Sequence, residues 1–256
     1  MIKITLLIGL VFSMMATLFP VFSSQKAGGF ALCYTENVCE AAKTGVDAAN
    51  NFSASGIFSA AKLALERAAK DGREHSVTFG KDTGETITAS PVVNGDTSNG
   101  KVIPDWQGAF ADLHNHCNHQ PPSAGDLYYL VKVCNKHASY RSRFVVTPGG
   151  VMYALYLYDL KMANDFVTNY PMERSPGYSP RFPEPVFDVC DLVSIYFEGQ
   201  GESRLTAQER AMAFILSKYY TGVALLKQDM DGHFKIVHTE KIVSGLATTY
   251  VAGNCR

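Results

Sequence analysis

Apolar and polar positions change period several times along this chain, and each change predicts an element. Ala61, Leu65 and Ala68 recur at helical spacing, which predicts a helix from about Ala60 to Lys70, capped by Ser59 and ended by Asp71-Gly72. "HSVTFG" and "ETITASPVV" then alternate on either side of "KDTG", a β-hairpin pattern in which Gly84 supplies the turn residue that tolerates positive φ. Residues 94–105 are a loop of Asn, Gly and Asp, after which "GAFADLHNH" alternates again and predicts a strand. In "SAGDLYYLVKVCNKHA" the period returns to helical, with Leu127, Leu130, Val131 and Cys134 on one face; Ser123 with Asp126 forms a capping-box-like start. "RFVVTPGGVMYALYLYD" reads as two strands joined at Pro148-Gly149-Gly150, and the five prolines of 171–185 read as a long surface loop. A helix from about Ala207 to Tyr220, with Thr206 as cap and Glu209 completing the box, and a hairpin turning at Asp231-Gly232 complete the pattern. The class predicted is α+β, a mixed or mainly antiparallel sheet flanked by helices.

Composition narrows the function classes. Hydrophobic residues are 46% and charged residues 18% of 256, a globular balance able to build a sizeable core. The net charge is -1 and no Lys/Arg block occurs, so the phosphate-neutralising surface of a nucleic-acid binder is missing. At the N-terminus, Lys3 precedes an uncharged run from Ile4 to Phe22, and Val21 with Ser23 fits cleavage after Ser23. Residues 1–23 are therefore read as a secretory signal peptide; the alternative is a retained anchor, the one route to a membrane. Export, periplasmic or extracellular, makes the six cysteines (33, 39, 117, 134, 190 and 255) eligible for disulfides, and Cys33 and Cys39 are close enough to close a small loop.

The stretch "HNHCNHQPPSAGD", residues 114–126, concentrates the candidate chemistry. On a strand, His114 and His116 project to the same face, and a Pro-Pro link can return Asp126, on the first helical turn, to the strand end. Two imidazoles and a carboxylate are a three-ligand set for catalytic zinc, which lowers the pKa of a bound water toward about 7. A hydrolase also needs a base and an oxyanion donor. Ser123 is the candidate donor, with a plain N-cap as its alternative role. Glu74 is the candidate base, with a solvated strand-end carboxylate as its alternative, and Glu85 is the substitute. His119 is a loop histidine near substrate; Cys117 and His75 point away from the set, being next neighbours of residues that point toward it.

His114-Asn115-His116 followed by Ser123-Ala124-Gly125-Asp126 resembles the H-x-H…S-x-x-D signature of the JAMM (MPN/JAB-domain) metalloproteases, in the variant found in JAB-like domains of secreted bacterial proteins. Cys117 stands where the family usually has Pro, and the interval from the second His to the Ser is one residue shorter than usual. The resemblance implies a cytidine-deaminase-like JAB/MPN arrangement over about residues 55–165, after an N-terminal segment 24–54 and before a C-terminal extension, 166–256, on the same core. It implies Zn2+ held by His114, His116 and Asp126, Ser123 as oxyanion donor and Glu74 as general base. The activity implied is hydrolysis of a peptide or isopeptide bond in a peptide or protein substrate. An inactive metal-binding or interaction module on that scaffold, and a secreted effector or toxin domain, are the alternatives.

Overall fold

The computed structural model describes residues 28–82, 85–96, 106, 108–175, 179–253 and 255, with side chains from Cys39 onward. The expected signal peptide, Gly84 and most of the 94–105 loop lie outside the described residues. The chain forms α1 (Gly28–Ser53), α2 (Gly56–Ala68), a short 3-10 turn (Ala69–Asp71), β1 (His75–Lys81), β2 (Ile87–Ala89), β3 (Val93–Asn94), β4 (Ala109–Asn115) and α3 (Ala124–Cys134). There follow β5 (Ser142–Val146), β6 (Met152–Leu157), α4 (Leu160–Asn169), α5 (Glu184–Gly199), α6 (Arg204–Lys218), β7 (Val223–Gln228), β8 (Phe234–Ser244) and β9 (Ala247–Gly253).

The strands form one sheet in the order β2-β1-β4-β5-β6-β7-β8-β9, with β3 paired to β1. Every pairing is antiparallel except β4 with β5, which are parallel and are connected through α3. The expected α+β class and mixed, mainly antiparallel sheet are therefore what the chain builds. β7 pairs with β6, so the sheet runs without a break across residues 165 and 166.

Period-two alternation splits the strands between two cores. Val77, Phe79, Ala111, Leu113, Phe144 and Ala154 face α1 and α2. Val145, Tyr153, Leu155, Leu157 and Leu225 face α3, α4 and α6. On the first face Phe52 meets Phe79 edge-on with centroids 4.8 Å apart, and Phe58 stacks on Phe79 at 5.7 Å. Each such ring contributes roughly 1.5–3 kcal/mol through burial. α1 approaches the sheet closely because Gly45 has no side chain: a Cβ there would lie 2.2 Å from the Tyr156 ring.

Several boundaries differ from those expected. α2 starts at Gly56 rather than near Ala60, because Ser55 accepts from the Phe58 N–H and caps it; Ser59 is inside the helix. α6 starts at Arg204 rather than Ala207, capped by Ser203 through the Thr206 N–H. The proline loop ends at Pro183, beyond which Pro185 fits the first turn of α5, where its missing N–H is no loss. α4 and α5 were not legible as helices, and the chain extends beyond the Asp231-Gly232 turn into the long β8–β9 ribbon. Cys39 pairs with Cys255, not with Cys33: α1 lies along β7 and β8, which brings its Cys39 to the end of the chain.

Candidate functional site

Three elements converge at one end of β4. Alternation puts Asp112 and His114 on the α3 side of the strand, and His116 follows one residue past it, its N–H still bonded to Val146 O at 3.0 Å. α3 begins beneath them. Ser123 makes the capping box that the spacing predicts: its hydroxyl accepts from the Asp126 N–H, and its own N–H donates to Asp126 Oδ2 at 2.7 Å. The box fixes the Asp126 carboxylate at the helix start, facing the strand. Parallel β5 places Arg143 in register with Asp112.

The three expected metal ligands come together. His114 Nε2 lies 3.0 Å from Asp126 Oδ1, and His116 Nε2 lies 3.3 Å from Asp126 Oδ2. One ligand atom from each residue falls within 4.8 Å of the others, and all three residues are buried, so the group could hold a metal ion. Two features of the imidazoles fit that role. His116 Nδ1 lies 3.0 Å from Gln120 O, a contact that puts a ring proton on Nδ1 and leaves Nε2 as the atom turned to Asp126. Neither nitrogen of His114 makes a well-aligned hydrogen bond despite full burial; its Nε2 meets the carboxylate as a close ion-pair contact instead. A cation bound between them would take that nitrogen's lone pair and balance the carboxylate; without one, a proton on the ring makes the contact an ion pair.

The charges around the triad are strongly coupled. Burial is the largest influence on Asp126 and opposes its ionisation, but His114, His116 and Arg143 outweigh it and hold the carboxyl well below the ordinary range. Burial and Arg143 both oppose charging of His114; the Asp126 and Asp112 carboxylates overcome them, and the imidazole is held above its ordinary value. Arg143 donates from Nε to Asp126 Oδ1 at 3.0 Å and from Nη1 to Asp112 Oδ2 at 2.8 Å, and its guanidinium stacks on Tyr129, 4.6 Å from the ring centroid. The Tyr140 hydroxyl donates to the other oxygen of Asp112. Asp112 Oδ2 is 3.7 Å from His114 Nδ1, the ring nitrogen opposite the one that faces Asp126.

Glu74 precedes β1 and is 8% exposed. Its backbone is pinned on both sides: its N–H donates to Asp96 O and its carbonyl accepts from Gly95 N–H, each at 2.8 Å. Asn115, between the two histidines, clamps the flanking peptides. Its Oδ1 accepts from His75 N–H at 2.7 Å and its Nδ2 donates to Arg73 O at 2.9 Å. Glu74, His116, Ser123 and Asp126 line one cleft of about 240 Å3, with Tyr129 and Arg143 on its wall. His114 is buried behind it.

The remaining candidates sit elsewhere. Glu85 is on the β1–β2 turn with φ 62, is ion-paired to Lys81, and does not line the cleft. His119 is exposed and lies against Gly149 rather than in the cleft. Cys117 turns toward Gly72 O, 3.2 Å from its sulfur. His75 is held by Asn94 and Asp71. Sequence reasoning passed over Asp112, Asn115, Arg143 and Tyr140. Asp112 had a signal, since it stands two residues before His114 and shares its face; Arg143 had another, as a charge inside an apolar strand.

Compared with models of protein families, with curated proteins and with solved structures, the chain has no match in any of the three.

Proposed function

We propose that the protein is an exported, zinc-dependent hydrolase of peptide or isopeptide bonds. The observation that carries the reading is the convergence of His114, His116 and Asp126 at ligand distances, in a cleft that Glu74 and Ser123 also line. The resemblance of "HNH…SAGD" to the JAMM signature supports it. Zinc held by this set would supply Lewis acidity toward a carbonyl and an acidified water. Glu74, clamped through Asn115, takes the proton of the attacking water and passes it to the leaving amine. Ser123 is exposed at the cleft rim, and its O–H now donates to Asp126 Oδ2 at 2.7 Å. Rotation of that hydroxyl into the cleft gives the oxyanion a donor, while the Ser123 N–H keeps Asp126 in place. Export is supported by the Cys39–Cys255 disulfide, a bond suited to an oxidising compartment.

A second reading has its own observation. Arg143 already neutralises Asp126, so the cluster also satisfies itself as a buried ion network in a non-catalytic interaction module. Metal analysis separates the two. The purified protein is expected to bind about one zinc per chain, and to lose it in the His114→Ala/His116→Ala double variant. Glu74→Gln is expected to keep the metal and lose cleavage of a mixed peptide library. Unchanged zinc content in the double variant overturns the metal site; bound zinc without cleavage in the unaltered protein favours the module.

A further inference from the structure

Apart from Glu74 and Asp126, every charged side chain lining the cleft is cationic: Lys132, Arg143 and Arg174. Arg143 is committed to Asp112 and Asp126. Lys132 and Arg174 are exposed, and neither has an acidic partner among the described residues. They enter from separate elements. Lys132 is in the last turn of α3, and Arg174 is on the segment between α4 and α5, so the two flank the cleft from helix and loop. A chain of net charge -1 has no general surplus of cations to account for this.

We infer that the cleft selects substrates bearing a carboxylate close to the scissile bond, an inference that rests on the hydrolase reading above. Distance along α3 sets where that carboxylate belongs. Lys132 is six residues beyond Asp126, about 9 Å along the helix axis at 1.5 Å per residue. An extended peptide covers about 3.3 Å per residue, so the carboxylate falls within about three residues of the cleaved bond. Its source is an Asp or Glu side chain or a free chain terminus. Both present the same anion to an ammonium and a guanidinium that have no acidic partner among the described residues. Exposed pairs are weak, at up to about 1 kcal/mol each, so two cations amount to an advantage of about 5- to 30-fold in kcat/KM.

The test is cleavage profiling by mass spectrometry with the zinc-loaded full chain and three sets of peptides. One set has internal Asp or Glu and an amidated end, one is neutral with a free C-terminal carboxylate, and one is neutral and amidated. The double variant Lys132→Glu/Arg174→Glu changes two exposed residues, so its fold and zinc content are expected to be unaltered. The unaltered protein is expected to prefer at least one carboxylate-bearing set, and the variant to lose that preference and favour Lys/Arg peptides. The first two sets tell an acidic side chain from a chain terminus. Cleavage with no preference between charged and neutral peptides, or a preference that survives the charge reversal, overturns the inference and leaves the hydrolase standing. Absence of cleavage of all three sets by zinc-loaded protein overturns the hydrolase reading, and this inference with it.

Discussion

Replacing Arg143 by Met removes a guanidinium that holds two buried carboxylates together. The side chain is 3% exposed, and the substitution deletes the contacts to Asp126 at 3.0 Å and Asp112 at 2.8 Å, together with the stacking on Tyr129. Met fills much of the volume, so the cost is electrostatic rather than a cavity. Asp112 keeps the Tyr140 hydroxyl and the longer contact to His114 Nδ1, and Asp126 keeps the Ser123 cap and the imidazoles. Removing one partner of a buried pair costs about 3–5 kcal/mol, because the remaining charge is left uncompensated. In a domain of this size each kcal/mol moves the melting temperature by about 2–4 °C, so Arg143→Met is expected to melt about 6–20 °C lower. The assay is thermal unfolding by circular dichroism in chelator, which keeps the metal site out of the comparison. Adding Asp112→Asn to Arg143→Met removes one of the stranded charges and is expected to recover part of the loss. A fall of less than about 2 °C, or no recovery in the double variant, would refute the view that this arginine neutralises the site.

Cys39→Ser, or reduction of the unaltered chain, is expected to lower stability by about 2–4 kcal/mol, since the bond to Cys255 joins residues 216 apart and constrains the unfolded chain. Non-reducing peptide mapping checks the pairing, and denaturant titration checks the loss. The third prediction concerns acid unfolding of the metal-free protein. The Asp126 carboxyl is held well below 3.8, so the stability it contributes is fully present above that value and is lost as pH falls through the lower, folded-state value. Asp126→Asn is expected to flatten that part of the stability profile below about pH 4, and an unchanged acid limb would contradict the assignment.

The sequence by itself determined the local terms. Two-residue periodicity placed His114 and Asp112 on one face of β4, the Ser123–Asp126 spacing produced a capping box, and Pro148-Gly149-Gly150 joined β5 to β6. These depend on backbone geometry within a few residues, so they are written in the order of the residues. Glu74 was a weaker case. Its distance from the histidines depends on β1 pairing with β4, in the register that sets Ser76 against His114, and on Asn115 reaching across to Arg73 and His75. Only the tertiary structure decided that Arg143 would cross to two carboxylates, that Cys39 would meet Cys255, and that Lys132 and Arg174 would line the same cleft. Side chains distant in sequence share no local pattern. The parallel β4–β5 pairing, the lie of α1 along the sheet and the packing of α3 bring them together, and each is set by burial of apolar surface summed over the whole chain.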